Sequence, residues 1–151
     1  MKIHFTLNGT LQRVEVDPSM RAIDFLRDVM GITSVKEGCG EGECGACTII
    51  VDGKTVPSCL MLAVELDGKD VITLEGVDDR VKEAFIEAGA IQCGFCTPGF
   101  IISTWHLLSR NPNPSEEEIM TALEGNLCRC TGYLKIIDAV KLAASMMRED
   151  G

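Results

Sequence analysis

Positive charge is scarce in this chain. Its 14 lysines and arginines face 23 aspartates and glutamates, a formal net charge of −9. That balance excludes a nucleic-acid reader, which needs a basic face. Histidine is scarcer still: His4 and His106 are the only two. They fall on a strand pattern and a helix pattern with no partner for a catalytic pair, so both read as surface or interface residues. Long apolar runs are missing, and nothing approaches the ~20 residues of a membrane-spanning helix. The first residues enter an alternating pattern without an apolar leader, so the expectation is a cytoplasmic protein. An apolar content of 46% over 151 residues nevertheless indicates a folded chain of one domain or two small ones.

What the chain has in excess is cysteine. Eight thiols in a reducing compartment point to metal binding more than to disulfides. They divide into Cys39, Cys44, Cys47 and Cys59, then Cys93, Cys96, Cys128 and Cys130. Two sets of four suggest two metal centres, each stapling a half too small for a deep core. The stretch Gly38 to Cys47 holds three cysteines and four glycines and cannot form a packed core. So many glycines are costly to order, and a bound metal would offset that cost. The spacing Cys39-x4-Cys44-x2-Cys47, followed by Cys59, is the plant-type spacing of a 2Fe-2S cluster. The loop glycines would let the backbone wrap the cluster and bring N–H groups to the sulfurs, which tunes reduction potential. Glu41 and Glu43 are expected to point to water, because nearby negative charge would oppose reduction.

Along the chain, Lys2 to Leu7 alternates with period two, Asn8-Gly9 signals a hairpin, and Val14 and Val16 continue on the return strand. A helix is expected over Met20 to Met30, with Ile23, Leu26 and Met30 inward and Gly31 as its stop. Thr48 to Val51 reads as a strand that turns at Asp52-Gly53 toward Thr55-Val56, and Val71 to Leu74 as a last strand. This order predicts a β-grasp, a mixed sheet crossed by one helix. Around Glu75 to Asp79 the pattern becomes helical: Val81, Ala84, Phe85 and Ala88 recur at helical spacing. Thr97 is expected to cap a helix with Pro98 at its first position, burying Ile101, Trp105 and Leu108. Ser115-Glu116-Glu117-Glu118 has the form of a capping box. A last helix from about Gly132 carries Ile136, Ile137, Val140, Ala144 and Met147 inward. The fold class is therefore α+β: a ferredoxin-like β-grasp over residues 1–76, then a four-helix bundle over 77–151.

Zinc also takes four thiolates, commonly from C-x2-C knuckles. The Cys39 loop favours iron–sulfur over zinc on spacing. Cys93-x2-Cys96 suits either metal, and Cys128-x-Cys130 is unusual for a knuckle, so residues alone leave the second centre open. Arg129, between two cysteines, could neutralise charge there or simply point to solvent. Met146 and Met147 read as packing residues, and Trp105 as bundle core.

The motifs Ile91-Gln92-Cys93-Gly94-Phe95-Cys96-Thr97-Pro98-Gly99 and Gly125-Asn126-Leu127-Cys128-Arg129-Cys130-Thr131-Gly132-Tyr133 resemble one family along essentially the whole chain. It is the small iron–sulfur subunit of the molybdenum hydroxylases, the group of xanthine dehydrogenase, aldehyde oxidoreductase and carbon monoxide dehydrogenase. The resemblance implies an electron-transfer subunit with no catalytic residue of its own and two 2Fe-2S clusters. It further implies a large subunit carrying a molybdopterin cofactor and a medium subunit carrying FAD, in a heterotrimer or its dimer. Carried over, Cys93, Cys96, Cys128 and Cys130 hold the proximal cluster, while Cys39, Cys44, Cys47 and Cys59 hold the distal one. Gln92 matches a glutamine that hydrogen-bonds the pterin, and Cys130 is the ligand nearest it. The substrate class implied is a purine, another N-heterocycle or an aldehyde. A free-standing two-cluster ferredoxin and a zinc-stabilised interaction module are the alternatives. Metal analysis of the native protein should find about four irons and four acid-labile sulfides per chain, with two distinct 2Fe-2S signals on reduction. A colourless protein containing zinc would contradict the iron–sulfur reading.

Overall fold

The computed structural model describes residues 1–150. Its first half is a five-stranded mixed sheet of order β2-β1-β5-β3-β4. The strands are β1 (Lys2–Leu7), β2 (Thr10–Glu15), β3 (Thr48–Val51), β4 (Lys54–Pro57) and β5 (Asp70–Ile72). Both hairpins, β1–β2 and β3–β4, are antiparallel, and β5 joins them by pairing parallel to β1 and antiparallel to β3. The hairpin turns at Asn8-Gly9 and Asp52-Gly53 have positive φ at both central residues. That is the primed turn geometry whose twist matches the flanking strands. The expected β-grasp is thus the observed one.

The crossing helix departs from expectation. Only Ala22–Asp24 (α1) is α-helical, and Phe25–Val29 continues as a wider π-helical turn. It closes where the Met30 N–H donates to the Phe25 carbonyl at 3.0 Å. Ala22, Ile23, Phe25 and Leu26 are fully buried against the sheet, at the i, i+1, i+3, i+4 spacing that places them on one face. Phe25 meets Phe5 of β1 edge to face, with ring centroids 5.9 Å apart. Met30, expected inward, is half-buried at the margin of this core.

The second half comprises α2 (Asp79–Glu87), α3 (Thr97–Arg110), α4 (Glu116–Ala122) and α5 (Leu134–Asp150). Asp78 caps α2 by accepting from the Arg80 N–H at 2.9 Å. The expected capping box opens α4: Glu118 N–H donates to the Ser115 hydroxyl at 3.2 Å, and Ser115 N–H to the Glu118 carboxylate at 3.0 Å. Thr97 does not cap α3. Cys96 occupies the cap position without a side-chain cap bond, Thr97 is the first helical residue, and Pro98 follows it. Ile101 and Leu108 are buried as expected. Trp105, Met146 and Met147 are partly buried against the same core. Among the described residues no helix is long and apolar enough to cross a membrane.

Strand β3 serves both halves. Ile49 and Val51 belong to the core under α1, whereas Ile50, pointing the other way, belongs to the core of the helical half. A strand covered on both faces reads as an uninterrupted apolar run rather than an alternating one, which explains the sequence Ile49-Ile50-Val51. His106 on α3 adds a polar contact at the same join, its Nε2 lying 3.0 Å from the Gly53 carbonyl oxygen. Ile50→Ala should therefore cost about 2–5 kcal/mol, the range for emptying a buried isoleucine site. Urea unfolding of the full chain checks this, and an unchanged midpoint would show that the two halves do not share this strand.

Candidate iron–sulfur sites

The loop between α1 and β3 presents Cys39 exposed, Cys44 half-buried and Cys47 buried. Its root is clamped by Arg21, whose guanidinium donates to both Glu37 carboxylate oxygens at 2.8 and 2.9 Å and to Asp24. Gly40, Gly42 and Gly45 all have positive φ, the conformation that lets the chain curl with its N–H groups turned inward. The Cys39 sulfur accepts from the N–H groups of Glu41, Glu43 and Cys44 at 3.3, 3.2 and 3.4 Å. Ala46 N–H lies 3.5 Å from the Cys44 sulfur. The backbone N–H of Glu41 above all, then those of Cys44 and Glu43, bring the Cys39 thiol down to about 7. Donors aimed at a sulfur favour its charged form. Glu41 and Glu43 are themselves exposed.

Cys59 arrives from a short helical turn, Ser58–Leu60, that follows β4. The turn is tied to Cys47, because the Ser58 hydroxyl and N–H both donate to the Cys47 carbonyl, at 2.7 and 3.3 Å. Burial, and then the neighbouring Cys47 thiol, push the Cys59 thiol up. Within this set Cys44 acts on Cys39, and Cys47 on Cys59, as neighbouring thiols.

The other four pair across the helical half. Cys93 and Cys130 are both exposed, with their sulfurs 3.6 Å apart. Cys96, at the start of α3, neighbours Cys128, which is buried. Burial, reinforced by Cys128, pushes the Cys96 thiol up to about 12. For Cys128 burial acts upward too, but the Thr131 hydroxyl at 3.2 Å and N–H at 3.4 Å outweigh it and leave the thiol lowered. The Cys93 thiol is the largest influence on Cys130 and raises it. Tyr133, at φ +74°, accepts the Cys128 N–H on its hydroxyl at 3.0 Å, which holds this loop against α5.

Eight free thiols in four pairs suit two binuclear centres, in each of which two thiolates bind each of two irons. Gln92 is exposed and directly precedes Cys93, one residue from the Cys93–Cys130 pair. Arg129 is also exposed, and His4 and His106 lie outside both thiol sets.

Several residues at the sites escape the sequence reading. Leu60 sits over Gly42, and Phe95 comes close to Gly38 beside the Cys44 sulfur. Asn126 is buried between the two loops, and Leu127 N–H donates to the Cys44 carbonyl at 2.9 Å. Their neighbours are distant in sequence, so no local pattern announces them.

Comparison with known proteins agrees with this construction. Residues 5–76 match the family model described as the 2Fe-2S iron-sulfur cluster binding domain, and residues 73–141 match the 2Fe-2S binding domain. The chain is 52% identical over 146 residues to the nicotinate dehydrogenase small FeS subunit of Eubacterium barkeri, covering 93% of each chain. It is 46% identical over 144 residues to the nicotine 6-hydroxylase small subunit of Paenarthrobacter nicotinovorans, covering 93% of this chain and 87% of that one. Among solved structures, quinoline 2-oxidoreductase from Pseudomonas putida 86 has a chain that superposes with a TM-score of 0.94 at 42% identity. That match covers 99% of this chain and 96% of the other. Thiols, fold and relatives together show that this chain belongs to the family of small iron–sulfur subunits of the molybdenum hydroxylases.

Proposed function

We propose that this chain is the electron-transfer subunit of a multisubunit molybdenum hydroxylase. It would pass electrons from a molybdopterin centre on a large subunit, through two 2Fe-2S clusters, to FAD on a medium subunit. The observation that carries the reading is the arrangement of eight free thiols as two sets of two pairs, one set in each half. A 2Fe-2S cluster, when bound, takes up and gives back one electron at a time. Cys39, Cys44, Cys47 and Cys59 would hold the distal cluster, and Cys93, Cys96, Cys128 and Cys130 the proximal one. The pairs suggest which thiols share an iron: Cys39 with Cys44, Cys47 with Cys59, Cys93 with Cys130, and Cys96 with Cys128.

The chain's own groups match the demands of such centres. The three N–H groups on the Cys39 sulfur stabilise negative charge there, which favours a reduced state at that end of the distal set. Thr131 does the same at Cys128. Cys96 keeps its proton at neutral pH when metal-free, so metal uptake at that site must release it. The exposure of Gln92, Cys93 and Cys130 supports placing this corner against the molybdopterin of the large subunit, with Gln92 hydrogen-bonding the pterin. Glu41 and Glu43 at the distal loop leave an acidic face toward the flavin side.

The division between the parts is proposed at residues 76 and 77, which the spans of the two family matches support. Relatives named for nicotinate, nicotine and quinoline support an N-heterocyclic aromatic substrate, ahead of a purine or an aldehyde. The assembly is proposed to be a cytoplasmic heterotrimer or its dimer.

Native co-purification with molybdenum, iron and flavin analysis tests the reading. A lone small chain carrying iron, but never molybdenum or flavin, would favour a free-standing ferredoxin instead. Cys44→Ser should abolish the distal signal and electron delivery to flavin or dye, while single-turnover reduction of molybdenum by substrate persists. Loss of both cluster signals with the fold intact would refute the partition of ligands. Gln92→Ala should leave both clusters assembled and weaken the magnetic coupling between molybdenum and the proximal cluster. Unchanged coupling and turnover would remove Gln92 from the pterin contact.

A further inference from the structure

Between the two thiol sets lies a buried polar contact that ligand assignment does not use. Asn126 is only 4% exposed, and both ends of its amide are engaged. Its Nδ2 donates to the Gly45 carbonyl at 3.2 Å, and its Oδ1 accepts from the Ser103 hydroxyl on α3 at 2.6 Å. Gly45 lies between Cys44 and Cys47, and Asn126 lies two residues before Cys128. One residue further on, Leu127 N–H donates to the Cys44 carbonyl at 2.9 Å. Cys128 and Cys44 are thereby joined through a few covalent bonds and one hydrogen bond.

The backbones approach as closely as side chains permit. A Cβ added at Gly99 would collide with the Gly45 carbonyl oxygen, and one added at Gly45 would collide with the Gly125 carbonyl oxygen. A buried amide with both ends satisfied resists displacement, because moving it leaves a polar group without a partner. Packing alone would not need an asparagine here, since an apolar residue could fill the space.

We propose that Asn126 is the positioning residue of the relay: by joining Ser103 to the Gly45 carbonyl, it fixes the separation and orientation of the two thiol sets and the electronic coupling between them. This rests on the reading of both sets as 2Fe-2S sites. With 2Fe-2S clusters bound, the step it would serve is the passage of one electron from the reduced cluster held by Cys93, Cys96, Cys128 and Cys130 to the oxidised cluster held by Cys39, Cys44, Cys47 and Cys59. No bond is made or broken, and no proton need move.

The test uses the full chain in its native complex, reduced with dithionite and followed by EPR at low temperature. Asn126→Ala should retain about four irons per chain and the characteristic signal of each cluster. It should lose most of the spin–spin splitting between them, and the intercluster electron-transfer rate after a light-triggered electron pulse should fall about tenfold, as expected when reacting partners are misplaced. Gly99→Ala, whose added methyl would press on the same Gly45 carbonyl and lie beside the Asn126 amide, should have the same effect. Thr48→Val removes a different donor to the same carbonyl, the Thr48 hydroxyl at 2.6 Å, and should leave splitting and rate unchanged. Should Asn126→Ala fail to take up iron, Ser103→Ala, which keeps the amide but removes its partner, decides by the same readouts. Unchanged splitting and rate in the iron-loaded variants would overturn the proposal. Iron missing from the wild-type complex would instead overturn the cluster reading itself, a failure seen before any variant is made.

Discussion

The structure depends on a seam where two backbones touch. Gly45 carries a carbonyl that meets Asn126 and lies so close to Gly99 that a methyl group there would not fit, and a methyl on Gly45 itself would meet the Gly125 carbonyl. Around that point, β3 turns Ile49 and Val51 into one core and Ile50 into the other. Neither half is therefore a complete unit at this face, and the cysteine loops are held by both. A relay needs such rigidity more than it needs a pocket. Electron transfer between fixed centres is governed by their separation, and the seam sets that separation through covalent geometry and short hydrogen bonds.

Charge is the second constraint. An acidic chain that gathers eight thiols gains from fixed hydrogen-bond donors at the sulfurs, and the Arg21 guanidinium beside the first loop is committed to Glu37 and Asp24. Backbone N–H groups supply such donors at Cys39, and Thr131 supplies them at Cys128. These donors belong to the folded backbone, so they are present before any metal binds and are not screened away as surface charges are. The opposite case is Cys96, whose burial holds the proton on sulfur. Loading at that site is coupled to proton release and should be harder in acid, because protons compete with metal for the sulfur.

Much of this was legible in the sequence, for local reasons. The two primed hairpins follow from Asn8-Gly9 and Asp52-Gly53, and the α4 capping box from Ser115 and Glu118, because each signal and its consequence lie within a few residues. The grouping of cysteines into two fours follows from spacing, and in the structure each thiol neighbours members of its own group. What could not be read is long-range. The π-helical turn at Phe25–Val29 has no local signal, since the buried Ala22, Ile23, Phe25 and Leu26 follow ordinary helical spacing. Cys96 replaces Thr97 at the cap of α3, where its thiol meets Cys128, a residue far along the chain. Asn126 stands inside a motif noted for its cysteines, and only folding reveals that its amide spans from Ser103 to Gly45.

The central claim is that all eight thiols bind iron and that no other side chain does. Iron-edge X-ray absorption on the native complex tests it most directly. The account predicts that each iron is surrounded by about four sulfurs, two of them sulfide, with one close iron neighbour. A shell containing nitrogen or oxygen, or the same thiols found on zinc, would contradict it.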